Sequence, residues 1–514
     1  MRNPVLRGFN PDPVIFSDGQ RYYIVVSTFE WLPGLRVYAS DDLCDWRYET
    51  SILSRDTGVD LRGNPRGCSI WAPYAGYHDG VYYVLYTNVR QTKVPYKDVD
   101  NYLIMSKDIH GPWSEPVYIN SSGFDPSLFF DDDGTCYFIN EIWDYRRREH
   151  NKSAGIVMQR LDVDTLDLCD EPIRIFEGTE AQKTEAPQMY KHDGYYYLLT
   201  AEGGTEAGHR ETVARSRKIW GPYKPDPQGP LVTSYDDPQW PLQCAGHASL
   251  VMSGDGQWCM AHLCARPFGP DGASILGRET ALQQVVFSDE GWIRLAQGGH
   301  KPAVVVCPQV GSKPNAASFH DDLKQGLPDD EHWNTLREFS EDSWLKPTPE
   351  GLRIAGGASP QSTFGQHLIG TRQTEFDCRA SVHMFYAPKS YLQLAGLSLY
   401  LDIDNYMLCM VTADDCGEPV AVLQQCVAGD FSEICRIPVS GRCFDISVNL
   451  SGHDCVFSMT DVSGMVCDFE GPHDVTFLAG GFTGDFIALD AIDMYRHNSS
   501  AALFSDFRYE VLSN

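Results

Sequence analysis

Short apolar runs along the chain break at an Asp-Gly pair and resume as aromatic runs. Aligned on that pair, "NPDPVIFSDGQRYYIVVS", "SIWAPYAGYHDGVYYVLYT", "GFDPSLFFDDDGTCYFINE", "KTEAPQMYKHDGYYYLLTA" and "AGHASLVMSGDGQWCMAHL" share one pattern of apolar strand, glycine turn and aromatic strand. Such runs joined by Asp-Gly are the signature of a β-hairpin. The turn aspartates are Asp18, Asp79, Asp133, Asp193 and Asp255, at intervals of 61, 54, 60 and 62 residues. A second segment follows the first, second and fourth hairpins: "ASDDLCDW" (39–46), "MSKDIHGPW" (105–113) and "ARSRKIWGPY" (214–223). Each reads as a strand, a turn and the start of a last strand. Five four-stranded units of about 60 residues predict a five-bladed β-propeller over residues 1–306.

The repeat stops there. Residues 307–318, "CPQVGSKPNAAS", are a linker by composition. Beyond them, "GLRIAG", "CRASVHMFY", "AGLSLYLDIDNYMLCMV" and "CFDISVNL" alternate like half-buried strands, so residues 319–514 are predicted to form a β-sandwich. The fold class is all-β, and 514 residues suit two domains.

Composition adds 45 glycines, 31 prolines and 12% aromatic residues, which fit a turn-rich β protein, and a formal charge of −29. A field of that sign repels nucleic acid and anionic membranes, so neither is expected as a partner, whereas a neutral substrate tolerates it. The N-terminus, "MRNPVLRGFNPDP", has no apolar core of signal-peptide length, which points to a cytoplasmic chain. The 16 cysteines include no CxxC pair, so zinc-site spacing is absent and buried free thiols are expected.

The first strand of each blade lines a propeller's central channel, so equivalent positions on those strands converge. Eight residues before the turn aspartate stand Trp71, Asp125, Glu185 and His247, and six before it in the first unit stands Asp12. Proline on both sides biases Asp12 towards an extended backbone. Its shorter spacing suggests a position slightly off the level of the other acids. One such acid is ordinarily a solvated turn cap, but three at equivalent positions call for another account. Two charges ~6 Å apart at an effective dielectric of ~20 repel by about 3 kcal/mol, roughly two pKa units. One carboxyl should therefore hold its proton beside an ionised neighbour, the pairing that glycoside hydrolysis requires. Trp71 would wall a sugar face. His247 could hydrogen-bond the acids or, as the weaker alternative, ligate an ion on the axis.

The ordered set "GFNPDP", "STFEW", "IWAP", "GFDPSLF", "TEAP", "TAEGGT", "CAGHASL" and "LGRETA" resembles the β-xylosidases of glycoside hydrolase family 43. The resemblance is to the long members, which join a propeller to a C-terminal β-sandwich packed on it. It implies Asp12 as general base, Asp125 as the acid that tunes and orients its neighbour, Glu185 as general acid, and hydrolysis with inversion. It also implies substrate contacts from Phe29, Trp71, Trp143, His247 and Arg278. The sandwich is expected to lend an aromatic, with Phe482 or Phe486 in "GGFTGDF" as candidates. Three positions depart from the pattern: Tyr74 follows "IWAP", and Lys183 and Gln188 flank "TEAP".

The function so implied is an exo-acting β-1,4-xylosidase on xylo-oligosaccharides, with α-L-arabinofuranosidase as the first alternative. A retaining fructan or sucrose hydrolase and a catalytically silent sugar-binding propeller are the others. No cofactor is required; a structural calcium ion on the axis and a homo-oligomer are left open. The expected partner is a small oligosaccharide.

Overall fold

A computed structural model describes residues 2–268, 272, 274–306, 318–324 and 330–512. Apart from two single-turn 3-10 helices, Arg55–Thr57 and Thr476–Leu478, its regular structure is strand. The predicted linker lies, apart from Ser318, outside the described residues.

Five antiparallel sheets form the blades, each beginning with a predicted hairpin. Blade 1 comprises Val14–Ser17, Tyr22–Val26, Gly34–Ser40 and Arg47–Leu53. Blade 2 is built on Tyr74–His78, Val81–Gln91, Asp98–Ser106 and Val117–Asn120, and blade 3 on Ser127–Phe130, Cys136–Trp143, Ser153–Leu161 and Ile173–Phe176. Blade 4 contains Glu185–His192, Tyr195–Glu202, Arg210–Ser216 and Lys224–Pro225; blade 5 contains Gln243–Met252, Trp258–Ala265, Glu279–Phe287 and Ile293–Leu295. The aromatic runs supply the cores between blades. Phe16 and Tyr23 of blade 1, for example, pack on Tyr82 of blade 2 with all three rings buried. Each ring so buried contributes about 1.5–3 kcal/mol. The N-terminal segment closes the ring: Val5 and Leu6 donate their N–H groups to the Thr280 carbonyl of blade 5, and the Asn3 side chain donates to the Leu282 and Ala303 carbonyls.

The C-terminal domain is a sandwich of a nine-stranded and an eight-stranded sheet. The outer, nine-stranded sheet alternates as predicted, with a buried residue at every second position of Asp454–Asp461. The inner sheet does not. In Gln393–Asp402, Asn405–Ala413 and Phe486–Asp493 nearly every residue is buried. One face of this sheet packs against the outer sheet through residues such as Leu397, Cys409, Ile487 and Leu489. The other face carries Tyr400, Leu408, Met410 and Phe486 into a cluster with Phe9, Phe29, Trp31 and Trp71 of the propeller. A sheet covered on both faces reads as continuous apolar sequence. The propeller even lends it a strand, since Trp31–Leu32 pairs antiparallel with Asn334–Leu336.

Candidate active site

Asp12, Asp125, Glu185, Trp71 and His247, one from each blade, line a single cavity of about 340 Å³ together with Phe29, Trp143 and Arg278. Phe482 of the sandwich lines it as well, stacked on Phe29 (centroids 5.9 Å apart) and tilted against Trp71 (5.5 Å). Phe486 does not reach it. That ring is fully buried and stacked on Trp31 at 3.7 Å, as core between the domains.

The backbone turns the acids inward. Asp12, Asp125 and His247 all have left-handed φ (55°, 52° and 52°), as does Ala186 beside Glu185 (53°) and Ser69 two residues before Trp71 (75°). Every blade thus carries a left-handed residue at or within two positions of the ring, at a cost of about 1–2 kcal/mol each. This departs from the extended backbone that the flanking prolines predict for Asp12. Aspartate tolerates the left-handed region, and the conformation is held by Ser27, whose N–H donates to the Pro11 carbonyl and whose hydroxyl donates to the Asp12 carboxylate at 2.6 Å. Local strain of this kind concentrates at functional sites. Asp12 is also level with Asp125. Ser17 pairs with Tyr22 and Phe130 with Cys136 to close the two hairpins. Each of these two acids lies five residues before that closing position, so against Asp125 the shorter spacing is taken up in the Asp18–Arg21 turn. Glu185 lies seven residues before its own closing pair, His192 with Tyr195, with a bulge between Glu185 and Gln188, so this levelling does not extend to it.

The three acids have different electrostatic surroundings. Asp12 is buried, which by itself pushes its carboxyl up. Arg278 overrides this with bonds of 2.5 Å (Nη1 to Oδ1) and 3.3 Å (Nη2 to Oδ2), and His247 lies 3.7 Å from Oδ1. Arg278, with the Ser27 hydroxyl, holds Asp12 below the ordinary carboxylate value, hence ionised. Arg278 is held in turn by the Phe482 carbonyl, which accepts from Nε and Nη2, both at 3.1 Å. The sandwich therefore helps orient the partner of Asp12. Glu185 is pushed up to about 7, first by burial, against the pull of Lys97, and then by the charge of Asp12. Asp125 is raised well above its usual value by burial and by Glu185, Asp12 and Glu141; its Oδ2 accepts from the Ala186 N–H at 3.2 Å, next to Glu185. Burial lowers His247, so its ring is neutral near pH 7.

Two groups at the site escape the ring pattern. Lys97 lines the cavity with its ammonium 4.0 Å from the Trp143 ring centroid, 4.1 Å from Phe124 and 4.8 Å from Trp71. Burial lowers its pKa against the attraction of Glu141, Glu185 and Asp125. Glu141 is fully buried, and burial pushes its carboxyl up to about 8 against Lys97 and Ser153. Reading the ring one strand outward would have found Glu141, whose N–H bonds to the Phe124 carbonyl beside Asp125. Lys97 comes from the connection between the second and third strands of blade 2; the same connection in the other blades differs in length and sequence, so no repeat could mark it. Of the three departures from the family pattern, Lys183 lines the cavity. Tyr74 packs in the core shared by blades 2 and 3, and Gln188 pairs with Leu199 within blade 4.

The walls are fixed through Gly67. Its N–H donates to Glu30, its carbonyl accepts from the Trp71 indole at 2.9 Å, and Arg337 of the sandwich reaches Glu30 at 3.5 Å. At φ +67° a side chain is disfavoured, and a Cβ there would stand 3.0 Å from Phe482.

Both Asp12 oxygens are taken by Arg278, and among the described residues no group of three or more His, Cys, Asp or Glu side chains could hold a metal ion.

Residues 1–293 match the family described as glycosyl hydrolases family 43, and residues 329–510 match the β-xylosidase C-terminal concanavalin A-like domain. A β-xylosidase of Bacillus subtilis (strain 168) is 40% identical over 446 residues, covering 84% of this chain and 82% of its own. Xylosidase/arabinosidase 43B of Humicola insolens is 36% identical over 540 residues, covering 100% of this chain and 98% of its own. The crystal structure of xylan β-1,4-xylosidase from Bacillus halodurans C-125 superposes with a TM-score of 0.94 at 39% identity, covering 99% of this chain and all of that one.

Proposed function

The chain belongs to glycosyl hydrolases family 43, and on that premise we propose that it is an inverting, exo-acting β-1,4-xylosidase releasing xylose from the non-reducing end of xylo-oligosaccharides. The observation that carries this reading is the contrast between two carboxyls in one cavity: Asp12 held ionised by Arg278, and Glu185 raised to about 7. Two groups with pKa values pushed apart are what a base and an acid need at one pH.

In this mechanism Asp12 takes a proton from the water that attacks the anomeric carbon. Glu185 gives its proton to the departing glycosidic oxygen on the opposite side. Asp125, whose carboxyl burial and its acidic neighbours raise above the usual range, acts through position, fixing the peptide beside Glu185 through the Ala186 N–H. Phe29, Trp71 and Phe482 wall the sugar, and Arg278 keeps the base charged. Each proton transfer in this scheme runs between a carboxyl of the chain and either water or the substrate.

The Humicola relative's name, xylosidase/arabinosidase, supports α-L-arabinofuranosidase as a side activity. Parallel rates on 4-nitrophenyl β-D-xyloside and 4-nitrophenyl α-L-arabinofuranoside test the order. We expect the xyloside to show the larger kcat/KM by about tenfold or more, a difference of ~1.4 kcal/mol in transition-state binding. A larger value on the arabinofuranoside would reverse the assignment.

A further inference from the structure

The aromatic side chains around the cavity become more exposed from its floor outward. Phe29 is 2% exposed and Trp71 8%, Trp143 is half-buried, and beyond it Tyr145 is 51% and Tyr96 60% exposed. Tyr145 lies two residues past Trp143, on the segment that continues to His150 and Asn151, both of which line the cavity. Tyr96 lies between Val94 and Lys97, which line it from the other side. The two tyrosine rings meet across the gap between these segments, with centroids 5.1 Å apart and planes 40° from each other.

A clamp between the two segments would be the simplest purpose for this pair, but the segments are already joined beneath it. The Trp143 indole donates to the Pro95 carbonyl at 2.9 Å, and the Lys97 ammonium lies over the Trp143 ring. The contact leaves about half or more of each tyrosine side chain in water. An apolar ring with a polar tip suits a wet rim where one face awaits a partner. The cavity admits a chain end, so the rest of a bound oligosaccharide must leave by its mouth, where these rings stand.

We propose that Tyr96 and Tyr145 form a stacking platform for a third sugar of a β-linked pentose oligosaccharide, two units from the non-reducing end. The platform rests on the xylosidase reading above. It favours xylotriose and longer chains over xylobiose, because a disaccharide ends before reaching it.

The test compares kcat/KM on xylobiose and xylotriose for the wild type, Tyr145→Ala and Tyr145→Phe. The ratio of xylotriose to xylobiose is expected to fall about three- to tenfold in Tyr145→Ala, the worth of one lost ring contact, and to be preserved in Tyr145→Phe, which keeps the ring. An unchanged ratio in Tyr145→Ala, or an equal fall in Tyr145→Phe, would overturn the platform while leaving the xylosidase assignment in place. A wild-type enzyme inert on both oligosaccharides would overturn the function and the platform together.

Discussion

Replacing Asp12 by asparagine is expected to lower kcat about 10⁴-fold, the upper range for removing a positioned general base. The loss should be similar for aryl xylosides and for xylobiose, because the base acts on the attacking water whatever group departs. The shape of the site is largely kept in this variant: the amide is isosteric and its oxygen can still accept from Ser27 or Arg278. What disappears is the carboxylate that Arg278 and Ser27 together keep ionised. Steady-state rates on the two substrate types check this, and retention of more than a few per cent of activity would remove Asp12 from the role of base.

Glu185→Gln should behave differently. Its loss should depend on the leaving group, reaching about 10³–10⁴-fold on xylobiose, whose departing sugar oxygen needs a proton, and far less on an activated aryl xyloside. The pH profile gives a second readout. Wild-type activity requires Asp12 ionised and Glu185 protonated. Because Asp12 is held below the ordinary carboxylate value, activity should persist into moderately acidic solution. Because Glu185 is raised to about 7, kcat/KM should fall as pH rises through that value and its proton is lost. In Glu185→Gln, with no proton to lose at that position, the alkaline fall attributable to Glu185 should vanish from the residual activity on the aryl substrate. An equal loss on both substrates with the alkaline limb intact would assign the acid to another group.

The five hairpins are legible because a blade repeats its turn chemistry, and the ring of Asp12, Trp71, Asp125, Glu185 and His247 follows from that repeat. The backbone that aims them is not legible. Proline on either side of Asp12 argues for extended φ, and only contacts far along the chain, from Ser27 and Arg278, account for the left-handed conformation seen. The two-residue difference in spacing reads as an offset of Asp12 from both other acids, whereas the closing pairs remove it for Asp125 alone, because the sequence shows where Asp-Gly falls but not where the hairpin closes. In the sandwich, "AGLSLYLDIDNYMLCMV" reads as half-buried, since nothing local reveals that the propeller covers its second face through Phe9, Trp31 and Trp71. Lys97 escapes notice for the same reason. Its place among Trp71, Phe124 and Trp143 depends on a connection between strands whose length and sequence differ from blade to blade. Trp31 belongs to the "STFEW" motif that also supplies Phe29 to the sugar site, yet it serves the joint between the domains.

The central claim is that Asp12 activates water from one side of the sugar while Glu185 protonates the leaving oxygen from the other. ¹H NMR of the first xylose formed from a β-xyloside, recorded before mutarotation, tests it directly. The account predicts α-xylose as the initial product. Initial release of β-xylose would mean that configuration is retained and that an enzyme carboxylate attacks the sugar in place of water, contradicting the roles of Asp12 as base and Glu185 as acid.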